Sequence, residues 1–319
     1  MNSYICQMSR RGFLGTVTAA LAATWLVPPR LWAADRVPIR KPIPASGELV
    51  PAIGMGTSRT FDAGTSEDDL AALAEVLRAF FENGGSLIDS SPMYGSAEQV
   101  IGNLLDRVGF RDQLFAATKV WTDGRQAGVR QMEDSLHKWG LSRFDLMQIH
   151  NLRDWQVHLA TLQEWKEQGK IRYIGITTSH GRDHLELAGI LRSEDLDFVQ
   201  FSYNIENRDA ERELLPLAAE RGLAVLVNRP YQRGGLFRKV KGQPLPDWAA
   251  EFDCTSWGQF FLKFIVSHPA VTCVIPATTK VHHMQDNMAA GFGRLPDAAM
   301  RQRMVESLFQ SEDESEGWV

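Results

Sequence analysis

An α/β fold built on parallel strands is predicted by three observations. Apolar runs of four to seven residues recur, bounded by Gly, Pro, Asn or Asp. Amphipathic helical stretches separate them, and polar residues collect at the same end of successive runs. The first runs are Ser86-Leu87-Ile88-Asp89, Leu114 to Lys119 and Phe144 to His150. Beyond Thr177 they continue as Phe198 to Tyr203, Ala224 to Val227 and Val271 to Ile275. Continuous apolarity is the pattern of strands covered on both faces. Helical periodicity fills the intervals at Ser66 to Phe81, Ala97 to Leu105, Val129 to Lys138, Asp154 to Gln168, Asp183 to Leu191, Ala210 to Glu220 and Trp257 to Val266. Ser66 has the composition of an N-cap, and Glu67, Asp68 and Asp69 follow where the helix dipole favours anions.

The strand ends carry the chemistry. Asp89, with Tyr94 just beyond it, closes one run; Lys119 closes the next and His150 the one after. A carboxylate, phenol, ammonium and imidazole that converge make a proton-delivery site. A phenol with its ordinary pKa of about 10 is a poor acid near neutrality, and a neighbouring ammonium favours the phenolate. Lys119 is therefore expected to lower the pKa of Tyr94. Asp89 is needed to keep a buried Lys119 protonated. His150 is expected to orient a substrate oxygen or to share its proton. Any one of the four alone is more often a structural polar group; the set together is what marks a site.

The blocks Asp89-Ser90-Ser91-Pro92-Met93-Tyr94-Gly95-Ser96-Ala97-Glu98, Ala117-Thr118-Lys119-Val120-Trp121 and Asp145-Leu146-Met147-Gln148-Ile149-His150 resemble, in order and spacing, those of the aldo-keto reductase family. Weaker matches are Gly54-Met55-Gly56-Thr57, the stretch from Gly169 to Ile176, and Ile275-Pro276 with Asn287. The resemblance covers nearly all of the chain after the first forty residues. It implies a (β/α)8 TIM barrel over residues 35–310, with the active site at the C-terminal face of the strands. It also implies reduction of a small aldehyde, ketone or sugar by hydride transfer from NADP, with NAD not excluded and Tyr94 as the general acid.

The resemblance carries cofactor positions over one at a time. Gly56 and Thr57 lie in the first block. Gln200 stands where the family contacts the nicotinamide amide; Thr177 replaces a usual serine and Thr178 a usual asparagine. Asn228 falls where a tyrosine commonly stacks on the nicotinamide, which leaves that ring face to Arg229 or Tyr231. Arg233 and Gly234, in a basic loop with Arg238, Lys239 and Lys241, are candidates for the pyrophosphate. Thr278, Lys280, His283 and Asn287 align with the 2′-phosphate and adenine loop, where Ala277 replaces the common lysine and His283 the common arginine. Met93, Trp121 and Asn151, with Arg59 and Phe61, are the expected walls of the substrate mouth.

Rival chemistries find less support in the letters. Gly54-x-Gly56 is followed by Arg59 where a dinucleotide fingerprint needs its third glycine. None of the five tyrosines has the lysine four residues later that a short-chain dehydrogenase would show. His180 and His184 have helical ligand spacing but no glutamate follows His180, so no metal site is assigned. With 34 basic and 39 acidic residues the net charge is -5, which offers no footprint for nucleic acid. Cys254 and Cys273 are expected as free buried thiols.

At the N-terminus, Ser9-Arg10-Arg11-Gly12-Phe13-Leu14 precedes a mildly apolar stretch from Thr16 to Val27, then Pro28-Pro29 and Ala33-Ala34. This reads as a twin-arginine export signal over residues 1–34, cleaved after Ala33 or Ala34. The apolar stretch falls short of the roughly 20 residues that span a bilayer, so no stable membrane span is expected. The partners implied are the small carbonyl or alcohol substrate and the twin-arginine machinery, with folding around the dinucleotide before export to the periplasm. Residues 311–319 read as a solvated acidic tail. A second class of function is an exported dinucleotide-binding sensor or partner subunit with weak or vestigial catalysis. The intact set Asp89, Tyr94, Lys119 and His150 favours the enzyme.

Overall fold

The computed structural model describes residues 37–316, and the export segment expected over residues 1–34 lies outside them. A short antiparallel hairpin, β1 (Arg40–Pro42) with β2 (Leu49–Pro51), comes first. Eight parallel strands follow: β3 (Met55–Gly56), β4 (Leu87–Asp89), β5 (Phe115–Val120), β6 (Phe144–Ile149), β7 (Ile171–Thr177), β8 (Phe198–Ser202), β9 (Ala224–Asn228) and β10 (Cys273–Val274). Each pairs with its neighbours in sequence, the order left by right-handed crossovers that never skip a strand. A parallel bridge from Ile53 to Val274 joins the two edges, supported by Gly54 N donating to Val274 O at 2.8 Å and Gly56 N to Pro276 O at 3.0 Å. The sheet thus closes into the expected barrel, leaving almost no free edge. Gly56 is required at this seam, because a Cβ there would lie 2.8 Å from the Ile275 carbonyl oxygen.

The helices are α1 (Glu67–Glu82), α2 (Ala97–Val108), α3 (Arg125–Trp139), α4 (Trp155–Glu167), α5 (His184–Ser193), α6 (Leu214–Glu220), α7 (Gly235–Lys239), α8 (Trp257–Val266), α9 (Val281–Ala289) and α10 (Ala298–Glu316). Ser66 caps α1 as expected, its hydroxyl accepting from Asp69 N. The stretch from Ala210 to Glu220 differs from expectation: a single 3-10 turn at Asp209–Glu211 precedes α6. Pro216 explains the late start, since a proline is tolerated only in a helix's first turn. The acidic segment also differs, since α10 runs without Gly or Pro to Glu316 and takes its backbone into helix up to there.

Two apolar cores result. One lies between the barrel and its helices; the other fills the barrel with Leu87, Phe115, Leu146, Tyr173, Phe198, Leu226 and Cys273. Ile43 and Val50 from the hairpin segment join the inner core, so the hairpin plugs the N-terminal end. The bottom is therefore closed. Function is confined to the other end, where the polar strand ends emerge. Cys254 and Cys273 are free and buried.

Candidate active site

At the C-terminal end of the barrel the inward positions of six strands turn polar. Parallel register sets Gly56 beside Asp89, Lys119 beside Gln148, Thr177 beside Gln200 and Ser202 beside Asn228. Lys119, fully buried, donates to Asp89 Oδ2 at 2.5 Å and to the Ser90 carbonyl at 2.7 Å. The other carboxylate oxygen of Asp89 accepts from Gln148 Nε2 at 2.8 Å and from Gln200 Nε2 at 3.0 Å. A buried ion pair survives only when its remaining lone pairs and protons are satisfied, and these amides do that. Burial disfavours the Lys119 ammonium, but Asp89 outweighs it and the pKa stands above its ordinary value.

Tyr94 lies over this pair, with Lys119 Nζ 5.2 Å from its ring centroid. The third ammonium proton is left for its hydroxyl, a hydrogen bond that favours the phenolate. Lys119 lowers the Tyr94 pKa as expected, but it does not decide the net shift. Burial raises it most, Lys119 lowers it, Asp89 raises it again, and the net shift is upward. The phenol is therefore fully protonated near neutrality. A protonated phenol is able to donate a proton, and the adjacent Lys119 favours its phenolate form.

His150 stands 5.8 Å from Tyr94 between ring centroids, at right angles to it. Burial, with the Lys119 charge second, lowers its pKa to about 2, so the ring is neutral. Its Nδ1 lies 2.9 Å from Ser91 Oγ, which already accepts from Met93 N at 3.2 Å. We assign the serine hydroxyl as the donor to Nδ1, which leaves the ring proton on Nε2. Of the two roles expected for His150, orienting an oxygen fits this state.

Asp89, Tyr94 and His150 open on a cavity of about 960 Å3. That is the upper end of the roughly 300–1,000 Å3 usual for small-molecule sites, enough for a large ligand. The expected residues Met93, Asn151, Thr177, Thr178, Gln200, Asn228, Arg229, Arg233, Gly234, Thr278, His283 and Asn287 line it as well. Five others do not. Lys119 lies beneath the surface, Gly56 is at the barrel seam, and the Thr57 hydroxyl donates to the Asp89 carbonyl at 2.9 Å. Lys280 precedes α9 and is exposed. Trp121 sits 6.4 Å from the His150 ring, with Arg153 stacked on it at 4.9 Å.

The residues fit a dinucleotide. Thr178 Oγ1 is buried in the cavity wall without a hydrogen-bond partner, as a group awaiting a ligand would be. Thr278 and His283 flank the start of α9, where backbone N–H groups favour anions, and Asn287 lies in the last turn of the same helix. Tyr231 donates to Asn287 Oδ1 at 2.6 Å and joins the wall between the two groups. Gln200 is tied into the wall by its neighbours. Its amide is engaged with Asp89, with Gln148 at 3.1 Å and, through its oxygen, with Asn228 at 3.2 Å.

Sequence reasoning missed two residues. Gln148 lies two positions before His150 on β6, hence on the same inward face, and that period-2 relation could have found it. Ser91 gave no signal, because its contact with His150 joins loops 59 residues apart.

A closed parallel barrel with a buried carboxylate–lysine pair under a tyrosine and a neutral histidine defines a class: barrel oxidoreductases that work with a nicotinamide cofactor. The chain belongs to the aldo/keto reductase family, whose profile matches residues 52–304. It is 30% identical over 260 residues to the methylglyoxal reductase YeaE of Escherichia coli (strain K12), covering 78% of this chain and 89% of that protein. The NADH-specific methylglyoxal reductase of the same organism is 26% identical over 288 residues, covering 70% and 85%. An aldo/keto reductase from Klebsiella pneumoniae, solved in complex with NADP and acetate, superposes with a TM-score of 0.69 at 25% identity, covering 82% of this chain and 93% of that one.

Proposed function

We propose that the protein reduces a small carbonyl compound to the alcohol with NADPH, Tyr94 serving as the general acid. One observation carries the reading: Tyr94 and the free Nε2 side of His150 face the same cavity while Lys119 and Asp89 lie beneath them. When bound, the nicotinamide ring supplies the hydride that the carbonyl carbon receives. His150 Nε2–H holds the carbonyl oxygen, and Tyr94 passes its proton to that oxygen as the charge develops. The Lys119 ammonium stabilises the phenolate until solvent restores the proton. Asp89, fixed by Gln148 and Gln200, keeps the ammonium charged and in place. The carbonyl gains two electrons and two hydrogens, and the dinucleotide is the species oxidised. NADP rather than NAD is supported by the Klebsiella pneumoniae complex, although one of the relatives is named NADH-specific. The Arg10-Arg11 motif supports export of the folded protein by the twin-arginine route to the periplasm.

Tyr94→Phe tests the assignment. Turnover of an aldehyde panel should fall by about 100-fold to 10,000-fold, the usual worth of a general acid, with dinucleotide binding nearly intact. Ordinary activity in that variant refutes Tyr94 as the acid. The engaged amide of Gln200 and the asparagine at position 228 favour the second reading, a dinucleotide-binding sensor or partner subunit. Single-turnover mixing of reduced holoprotein with aldehydes and sugars separates the two: loss of nicotinamide absorbance marks the enzyme, and none marks the sensor.

A further inference from the structure

One rim of the cavity is crowded with cations that have no acidic partner. Arg59 follows β3, His180 and Arg182 follow β7, and Arg229 and Arg233 follow β9; all five line the cavity. Among the described residues, none of these four guanidinium groups forms an ion pair with a carboxylate. The two carboxylates in the same wall are occupied elsewhere, Asp89 by Lys119 and Asp286 by Ser256 and Gln259. Such an assembly in a chain of net charge -5 is a local feature, and mutual repulsion opposes it.

The backbone is bent to place it. Arg59, His180, Arg229 and Arg233 hold φ of 66°, 67°, 53° and 55°, the left-handed region that side chains other than glycine rarely adopt. Conformations of this kind persist at ligand clamps, where surrounding structure holds them. His180 is part of the device. Its Nε2 accepts from Arg229 Nη1 at 2.6 Å and its Nδ1 is 2.8 Å from Ser179 Oγ. Burial and then the surrounding arginines lower the His180 pKa, so the ring is a neutral acceptor that aims Arg229.

The cofactor does not use up this charge. A dinucleotide pyrophosphate brings two negative charges, and its adenosine end would be held by a separate group, Thr278, His283 and Asn287. Two of the four guanidinium charges remain. We propose that the remaining two, Arg59 and Arg182, seat an anionic group of the substrate, so that the natural substrate is a small carbonyl compound bearing a carboxylate or a phosphate. The inference rests on the reductase reading above and names the substrate class for the same site. The anion anchors one end of the molecule while Tyr94 and His150 hold the carbonyl at the other. Guanidinium groups suit this task because they pair with carboxylate and phosphate oxygens two at a time.

The full-length protein, saturated with NADPH, is assayed on matched pairs: butanal against succinic semialdehyde, and glyceraldehyde against glyceraldehyde 3-phosphate. The charged member of at least one pair should be favoured by about tenfold or more in kcat/KM, mainly through KM, and the preference should shrink with added salt. Which pair responds distinguishes carboxylate from phosphate. Arg182→Gln should cut that preference, and calorimetric binding of succinate or inorganic phosphate to the NADP+-loaded protein, by about tenfold, with Arg182→Lys retaining part of it. Equal use of neutral and charged members overturns the inference and leaves the reductase reading standing. Loss of NADPH affinity in Arg182→Gln with an unchanged preference also overturns it, assigning the arginine to the cofactor. Reduction of no aldehyde at all overturns the reductase reading and this inference with it.

Discussion

Breaking the Asp89–Lys119 pair from one side should cost far more than removing both charges. The two groups meet at 2.5 Å with side chains 3% and 0% exposed. Asp89→Ala strands a buried ammonium and leaves the Gln148 and Gln200 amides, at 2.8 and 3.0 Å from Asp89 Oδ1, without that acceptor. Loss of one partner of a buried pair costs about 3–5 kcal/mol, and an orphaned amide adds up to about 1–3 kcal/mol. Lys119→Met strands the carboxylate, at about 3 kcal/mol or more. In Asp89→Ala/Lys119→Met no buried charge is left stranded, although the two glutamines still lose their acceptor. The double variant should therefore be about 2–3 kcal/mol more stable than the sum of the singles implies. Urea unfolding followed by far-ultraviolet circular dichroism measures each variant. In a domain of this size each kcal/mol shifts the melting midpoint by about 2–4 °C, so each single variant should lose roughly 6–20 °C. All three variants are expected to be inactive, so stability carries the test. Costs that simply add in the double variant would refute the coupling, and with it the argument that Asp89 exists to hold Lys119 charged.

Ser91→Ala removes the group that holds the His150 tautomer; kcat should fall about tenfold, the worth of one hydrogen bond, while the dinucleotide Kd and the melting midpoint barely move. An unchanged kcat would show that the serine does not orient the ring. Acid stability follows from the same histidine. Its pKa is about 2 in the fold against an ordinary 6.5, so between those values the unfolded chain binds more protons than the folded one. Stability rises with pH in that window, is complete above it and is lost as pH falls below 6.5. From pH 7.5 to about 4.5 His150 alone should remove roughly 3 kcal/mol. His268, lowered to about 4 by burial and then by Arg301, adds to the loss in the upper part of that window. Comparing urea midpoints at the two pH values, His150→Gln should flatten the dependence; an equal slope in the variant would contradict a neutral buried imidazole.

The order of elements and the four central residues were legible because they rest on local signals. Asp89, Lys119 and His150 each close or directly follow an apolar run, and parallel strands all carry such residues to one end of a barrel. The helix from Trp257 to Val266 was read to its exact bounds from its periodicity. Less legible were positions whose meaning depends on a distant partner. The bond from the Gln200 amide to Asp89, 111 residues away, has no local signal in the sequence. Thr57 and Lys280 carry letters that suit a cofactor, but their side chains do not line the cavity.

What the chain determined unaided was the fold, through hydrophobic period and strand-end placement, and which tyrosine, lysine, aspartate and histidine stand together at the head of the barrel. Folding decided the sign of the Tyr94 shift, because desolvation depends on how much protein closes around the phenol and no spacing along the chain encodes that. Folding also gathered Arg59, Arg182, Arg229 and Arg233 from three separate loops to one rim. A field made by charges remote in sequence belongs to the three-dimensional arrangement alone.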